Sequence, residues 1–151
     1  MKRIFVIDWI LIVVFIVSAT SGFGLHVAGH GNLHEIWHNW AVFHISVSVL
    51  FLVAIVFHLE THWGWYKGII KKGIGRKSKV TVVLSIVFLL LSATGIVLLG
   101  VNGANSPLGL WHYKTGIIMT VIAIGHIIKR LPALRKSLNT RKSAGSNIFM
   151  S

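Results

Sequence analysis

The sequence predicts an all-α integral membrane protein, a four-helix bundle with up-down-up-down topology and both termini in the cytoplasm. Of its 151 residues, 54% are hydrophobic and 12% are charged. The mean hydropathy of +0.77 lies well above that of soluble domains. Four apolar runs approach the roughly 20 residues that a spanning helix needs, and none shows the alternation typical of barrel strands. They cover about 4–23, 37–59, 80–101 and 108–128.

The first run, 4–23, is interpreted as a retained span. Lys2 and Arg3 ahead of an apolar run are also typical of a secretory signal peptide. However, this run is as long as a full span, and its Ser-Ala-Thr at 18–20 recurs at 92–94 inside the third run. We therefore treat residues 1–130 as one transmembrane domain.

The distribution of positive charges predicts how the four spans are oriented in the membrane. Lysines and arginines precede the first span, separate the second from the third and follow the fourth, and only Lys114 lies on the other side. The positive-inside rule then places both termini, and a basic tail at 131–151, in the cytoplasm. The net charge of +12 is thus explained by topology and by contact with anionic membrane lipid, so no nucleic-acid partner is predicted. The predicted location is the cytoplasmic membrane of a bacterium, with several passes.

Two histidine pairs share one spacing. His44 and His58 are fourteen residues apart, as are His112 and His126. At about 1.5 Å per residue this is about 21 Å, close to four turns, so both members of a pair lie on roughly one face of a helix. Because the second and fourth spans both run from outside to inside, His44 shares an outer level with His112, and His58 shares an inner level with His126.

Facing imidazoles at two levels predict two haem sites. Two imidazoles fill both axial positions of one iron, which leaves no vacant position for dioxygen and favours electron transfer. The chain has no cysteine, which excludes thioether attachment and iron–sulfur clusters and predicts two b-type haems. Histidines in membrane helices also bond neighbouring helices or line ion paths, so proton or metal-ion transport or handling is the alternative function. A structural anchor subunit that binds haem without quinone-linked reduction is a third possibility.

A weak two-helix repeat accompanies the histidines. The Ser-Ala-Thr elements are offset by 74 residues and the histidine pairs by 68. Ser48 and Gly116 each follow the first histidine of their pair by four residues. A small residue one turn from a ligand leaves room for a flat macrocycle, so both are predicted to pack against the outer haem.

The stretch from Trp40 to Trp65 contains His44, the pair His58-Leu59 and the run His62-Trp63-Gly64-Trp65. It resembles the flavinylation-associated cytochrome family, and the double histidine pair resembles the haem-binding core of cytochrome b in quinol-oxidising complexes. The resemblance covers roughly residues 5–130. It implies electron exchange between the quinone pool, or another inner-side donor, and a separate outer redox protein, often a flavin-carrying one. It also implies an electron-transfer subunit of an oxidoreductase and not an enzyme acting alone, and we assign no catalytic residue.

Four further histidines in the outer connection recur every four residues. They are His26, His30, His34 and His38. On a continuous helix they would form a stripe able to bind zinc or copper, although Gly29 and Gly31 weaken such a helix. Docking of a partner, contact with the outer haem and ordinary solvated side chains are the alternatives.

Besides the predicted haem ligands, the inner side has ionisable residues near the membrane that are neither lysine nor arginine: Asp8, Glu60 and His62. A quinone site coupled to proton movement needs such groups near the inner haem. In the other interpretation, Asp8 and Glu60 neutralise neighbouring lysines or arginines at the interface. Both interpretations stay open at this point.

Overall fold

The computed structural model describes residues 3–31, 34–73, 75, 79–101 and 106–148, with side chains in the last helix described as far as Lys136. Every regular element in this part of the chain is a helix. The five helices are α1 (Arg3–Ala28), α2 (His34–Thr61), α3 (Trp63–Lys72), α4 (Lys79–Leu98) and α5 (Pro107–Ile148). All except α3 include a segment long and apolar enough to cross a membrane. The predicted all-α class with four membrane-length helices is therefore confirmed.

The last helix is much longer than predicted. It was expected to end near residue 128, but α5 continues through Pro132 to Ile148. A proline costs a helix one backbone hydrogen bond, and the Ala-Leu-Arg-Lys that follows Pro132 consists of good helix formers. Leu134 is buried, so the first part of the predicted basic tail packs against the rest of the molecule. Residues 149–151 lie outside the described part.

The start of α5 has clear local determinants. Ser106 immediately precedes the helix, and its hydroxyl oxygen accepts a hydrogen bond of 3.1 Å from the backbone N–H of Gly109. This contact satisfies one of the N–H groups that the first turn leaves without an intrahelical partner. Pro107 occupies the first helical position, where the missing N–H costs nothing. Ser106 and Pro107 thus determine where α5 begins, five residues before His112.

The short helix α3 was not predicted. One residue, His62, separates it from α2. It ends at Lys72 and is followed by Gly73, whose positive φ of 79° is a conformation that glycine adopts without strain. The N–H of Gly73 closes the helix with a 2.8 Å bond to the carbonyl of Ile69. The second and third spans are thus separated by an ordered helical turn of the chain.

The helices pack as two close pairs around one central cluster. Along the described residues, α1 packs against α2, α4 packs against α5, and α1 also contacts α5. The two histidine-bearing helices, α2 and α5, meet mainly through side chains of the cluster and not through close backbone approach. The central cluster consists of Phe15, Phe51, Ile55, Met119 and Ala123. It lies between His44 and His58 along α2, and between His112 and His126 along α5.

Candidate functional site

The structure brings His44 and His112 together at one end of the α2–α5 pair. Their ring centroids are 6.4 Å apart and the ring planes are inclined by 73°. Both side chains are largely shielded by the surrounding helices, within segments apolar enough to span a membrane. The two imidazoles are close enough to bind a common ion, yet they are not in van der Waals contact face to face.

A hydroxyl group fixes the orientation of each ring. The Oγ of Ser21 lies 2.9 Å from Nδ1 of His44, and the same hydroxyl donates to the backbone oxygen of Ser18. Because its single proton is used there, the Ser21 oxygen accepts from the ring, which assigns the proton of His44 to Nδ1. Nε2 of His44 then has a free lone pair, the form of imidazole that binds a metal.

The second half of the chain repeats this arrangement. The Oγ1 of Thr94 lies 2.9 Å from Nδ1 of His112. Its own proton is directed at the carbonyls of Leu90 and Leu91, at 2.9 and 3.0 Å. His112 is therefore also protonated at Nδ1 and has Nε2 available as a ligand.

A glycine next to each hydroxyl gives the ring its room. A Cβ added at Gly22 would lie 3.0 Å from Cε1 of His44, and one added at Gly95 would lie 3.1 Å from Cε1 of His112. Both separations are tighter than nearly all real Cβ contacts, so each imidazole lies directly against the backbone of the preceding helix. We call these six residues the His44 site: Ser21, Gly22, His44, Thr94, Gly95 and His112.

The other two small residues singled out by the sequence lie elsewhere. The hydroxyl of Ser48 is 3.3 Å from that of Ser18, which joins α2 to α1. A Cβ added at Gly116 would meet the Cδ1 of Leu91 at 3.8 Å, an ordinary contact. The glycines that contact the histidine rings are those of α1 and α4, and packing of Ser48 and Gly116 against a haem stays a prediction.

At the other end of the pair, His58 is held by a carboxylate. Its Nδ1 lies 2.9 Å from Oδ1 of Asp8 on α1. An ionised carboxylate only accepts, so His58 donates Nδ1–H to Asp8, and the neutral ring would offer Nε2 as a ligand. His62 joins the group: its Nε2 lies 3.8 Å from the same oxygen, and its ring centroid is 4.5 Å from that of His58.

His126 lines the same cavity as His58. The cavity has a volume of about 280 Å³ and is lined mainly by apolar side chains of the central cluster and of α4. Its polar lining includes Asp8, His58, His126 and Arg130. In the described part of the chain no hydroxyl or carboxylate holds His126 as Asp8 holds His58. We call Asp8, His58, His62 and His126 the His58 site.

The His58 site also contains a group that could hold a metal without haem. One donor atom each from Asp8, His58 and His62 lies within 4.8 Å of the other two. Nε2 of His62 is buried and has no hydrogen-bond partner among the described atoms. Burial lowers the pKa of His62 and so favours the neutral ring, which is the form of imidazole that binds a metal. The exposed Glu60 does not belong to this group.

The four outer histidines do not lie on one continuous helix. His26 lies in the last turn of α1, His30 lies in the turn that follows, and His34 and His38 lie on α2. The ring of His26 stacks on Tyr113, with centroids 3.6 Å apart, and His30 donates to the carbonyl of His26. Across the described residues these four rings do not come together as a three-ligand group. The chain turns at Gly29–Gly31, so the continuous helix on which the stripe depended is absent there.

Small residues of α1 and α4, among them Ser21, Gly22 and Gly95, were predicted to mark close helix packing, but the hydrogen bonds of Ser21 and Thr94 to the histidine rings were not predicted. The useful signal was a Ser-Gly pair at 21–22 and a Thr-Gly pair at 94–95, which are offset by 73 residues and not by the 74 of the Ser-Ala-Thr elements. The role of Asp8 was missed as well, because nothing in its neighbouring residues points to His58. Both features depend on which face of α1 or α4 meets the histidine-bearing helix.

No family model, curated protein or solved structure matches the chain. The resemblance to the flavinylation-associated cytochromes thus stays a prediction, and the function is argued from the two sites.

Proposed function

We propose that this protein transfers electrons across the membrane through two b-type haems, one held by His44 and His112 and the other by His58 and His126. The observation that carries the proposal is the shared state of three histidines. His44, His112 and His58 each place Nδ1 2.9 Å from a polar oxygen on a neighbouring helix, so the neutral ring would offer Nε2 as the ligand atom. Second-shell partners of this kind orient metal-ligating histidines and raise their basicity.

The separation at the His44 site favours ligands on opposite sides of one ion. A bond from a metal to an imidazole nitrogen is about 2.0–2.1 Å long. With the ring radius added, two imidazoles on opposite sides of a metal have centroids about 6 to 6.5 Å apart, whereas at a tetrahedral angle they are about 5 Å apart. The 6.4 Å between His44 and His112 agrees with the first arrangement. The distance is thus compatible with one imidazole on each side of a haem iron.

At the His58 site only one of the two proposed haem ligands, His58, is held by a hydrogen-bond partner in the described part of the chain. His58 is oriented by Asp8, and His126 lines the same apolar cavity of about 280 Å³. The central cluster separates this cavity from the His44 site. Arg130 at the cavity lining is a cation that can neutralise an anionic carboxylate at the edge of a bound group.

The direction of the helices follows from contacts at both ends. Ser21 contacts His44 and Asp8 contacts His58, so α1 and α2 run antiparallel. His44 lies near His112, and His58 and His126 line the same cavity. Helices α2 and α5 therefore run parallel. These contacts support an up-down-up-down bundle. Together with the basic termini, they support the proposal that the His58 site lies on the cytoplasmic side of a bacterial inner membrane.

The residues of the two sites have separable tasks. A haem with both axial positions filled supplies one-electron oxidation and reduction without binding dioxygen. His44 and His112 hold the outer group, Ser21 and Thr94 keep each ring in the ligating tautomer, and the apolar spans exclude water. The quinone pool or another inner-side donor, and a separate outer redox protein that carries flavin, are the partners proposed from the family resemblance. The chain would act as the electron-transfer subunit of an oxidoreductase.

A second candidate function is the handling of a divalent metal ion at Asp8, His58 and His62. Two imidazoles and one carboxylate suit zinc, iron or copper, and the buried Nε2 of His62 lacks another partner among the described atoms. If Nδ1 of His58 were the ligand atom, it could not donate a proton to Asp8, and the two functions would then require different orientations or tautomers of this ring.

Purification of the full chain with analysis of its cofactors tests the proposal. The expected product is red, shows a sharp α-band after reduction with dithionite and contains two haems per chain. His44→Ala should leave one haem, and His126→Ala should leave the other. A colourless protein that does not bind added haem, or one that contains stoichiometric zinc or copper instead, would reject electron transfer in favour of the metal-handling function.

A further inference from the structure

The short helix α3 has two sharply different faces. At about 100° per residue, its aromatic and aliphatic side chains occupy an arc of about 160°, and its glycines and lysines occupy the opposite arc. The apolar arc contains Trp63, Trp65, Tyr66, Ile69 and Ile70. The polar arc contains Gly64, Lys67, Gly68, Lys71 and Lys72.

The position of α3 places it at the end of a span. It begins at Trp63, directly after His62 and the last residue of α2, Thr61. One edge of its apolar arc is anchored to the rest of the molecule: the Tyr66 hydroxyl lies 2.9 Å from that of Ser85 on α4, and Trp63 and Tyr66 line the His58 cavity. The helix is thus held at the level where the spanning segments end.

The remainder of the apolar arc is not covered by the described part of the protein. Ile70 is 81% exposed and Trp65 is 37% exposed, and no residue of α3 is buried. A helix of this length gains little from its own hydrogen bonds in water, so an ordered helix with a bare apolar face needs another surface to cover it. Around the end of a membrane-spanning helix, that surface is the boundary between lipid headgroups and acyl chains.

The lysines determine which lipid is favoured. Lys67, Lys71 and Lys72 all lie on the polar arc and are all exposed, and the described side chains offer them no carboxylate within ion-pair distance. Lysines of an interfacial helix reach the phosphates of anionic lipids and gain about 1 kcal/mol each near a negative surface, which is up to about fivefold in association for each.

We propose that α3 is an anionic-lipid-binding helix that lies in the surface of the bilayer, with Trp65, Ile69 and Ile70 among the acyl chains and the three lysines on lipid phosphates. Through Trp63 and Tyr66, the lipid-bound helix forms one wall of the cavity beside His58. The bound group is the headgroup phosphate of a bilayer lipid and not a free phosphate. The proposal does not depend on haem.

The depth of α3 tests its orientation. The chain has no cysteine, so single substitutions Ile70→Cys and Gly68→Cys can carry a spin label in the otherwise unchanged full chain. In vesicles of phosphatidylcholine with phosphatidylglycerol, the label at residue 70 should collide with oxygen and be protected from a water-soluble nickel complex. The label at residue 68, on the opposite arc, should show the reverse.

Lipid selectivity tests the charges. Spin-labelled phosphatidylglycerol should associate with the full chain more strongly than spin-labelled phosphatidylcholine, and this preference should fall in a Lys67→Gln/Lys71→Gln/Lys72→Gln variant. The matched control is Ile69→Lys with Lys71→Ile, which keeps composition and net charge but destroys the two faces. This control should lose the depth difference between residues 68 and 70. Millimolar glycerol phosphate in the buffer should not remove the lipid preference.

Three results would overturn the proposal. Equal access of the nickel complex to residues 68 and 70 would show a helix in water. Protection of residue 70 from both reagents would show that protein, such as a second copy of the chain, covers it. An unchanged preference for phosphatidylglycerol after loss of the three lysines would place lipid binding elsewhere. None of these measurements reads colour or redox state, so their outcome is independent of the haem proposal.

Discussion

His44 and His112 face each other with ring centroids 6.4 Å apart, and each donates Nδ1–H to a hydroxyl on the helix that precedes its own. The two halves of the chain thus build the same half-site twice, with Ser21 in one and Thr94 in the other. Since both hydroxyl protons are used by backbone carbonyls, the oxygens can only accept. The rings are thereby oriented before any metal arrives, which lowers the cost of binding it.

Removal of either hydroxyl should weaken haem binding at the His44 site. Ser21→Ala and Thr94→Val each remove the partner of an imidazole N–H, and loss of such a partner typically reduces metal affinity about 10- to 100-fold. Titration of haem into the purified apoprotein should show one weakened and one unchanged step. The unchanged step belongs to the His58 site, which has its own partner in Asp8.

A matched control separates this effect from the loss of any hydroxyl in α1. Thr20 lies beside Ser21, is exposed, and bonds only to carbonyls of its own helix. Thr20→Val should therefore bind both haems normally. Equal weakening in Thr20→Val and Ser21→Ala would mean that the hydroxyl acts on the helix and not on His44.

A methyl group at either glycine of the His44 site should displace the ring beside it. The Cβ of Gly22→Ala would lie 3.0 Å from Cε1 of His44, closer than normal packing permits, so the imidazole must move away from α1. We expect at least about a tenfold loss of haem affinity at this site and a changed low-temperature electron paramagnetic resonance signal of the oxidised haem. Gly125→Ala is the control, because a Cβ at Gly125 meets nothing within 4 Å. Normal binding by Gly22→Ala would contradict the close fit.

The spans and the histidine pairs were predictable because composition and periodicity determine them. A run of about 20 apolar residues has few alternatives to a membrane helix. Likewise, a spacing of fourteen residues places His44 and His58 on one face whatever surrounds the helix. The length of α5 was not predictable in this way. A proline such as Pro132 usually ends a helix, but the helix-forming residues that follow it continue α5 to Ile148.

The partners of the histidines were not predictable from their own helices. A helix that is apolar all round does not indicate which face meets its neighbour. Ser21 and Thr20 are adjacent and chemically similar, yet only Ser21 faces His44. The partner of Asp8 was likewise not predictable, because the rotation of α1 relative to α2 determines whether the carboxylate contacts His58 or a basic side chain. Helix α3 was overlooked because ten residues with two glycines do not form a stable helix alone.

Truncation of Phe51 should destabilise the layer between the two sites. Its ring is buried, lies 5.9 Å from the rings of both Phe15 and Phe88, and belongs to the central cluster with Met119. Phe51→Ala should destabilise the protein by leaving a cavity in the cluster, and this should appear as a lower thermal midpoint in detergent. Phe57→Ala is the control, because the Phe57 side chain is 45% exposed and faces the surroundings. Comparable losses in both variants would mean that the cluster is not the packing centre.

Replacement of Asp8 by asparagine should raise the midpoint potential of the inner haem alone. The carboxylate accepts Nδ1–H of His58 at 2.9 Å and so increases electron donation from Nε2, which stabilises the oxidised metal. Asn still accepts that hydrogen bond but carries no charge, so the ring keeps its orientation while the oxidised state loses stabilisation. Potentiometric titration should show one component shifted upward and the component of the His44 site unchanged.

Glu60→Gln is the control variant. It removes a carboxylate that is exposed and outside the Asp8 group, and it should shift neither component. If Asp8→Asn shifted both components equally, the carboxylate would act as a general charge near the membrane surface. If it shifted only the His44 component, the pairing of Asp8 with the inner haem would be wrong.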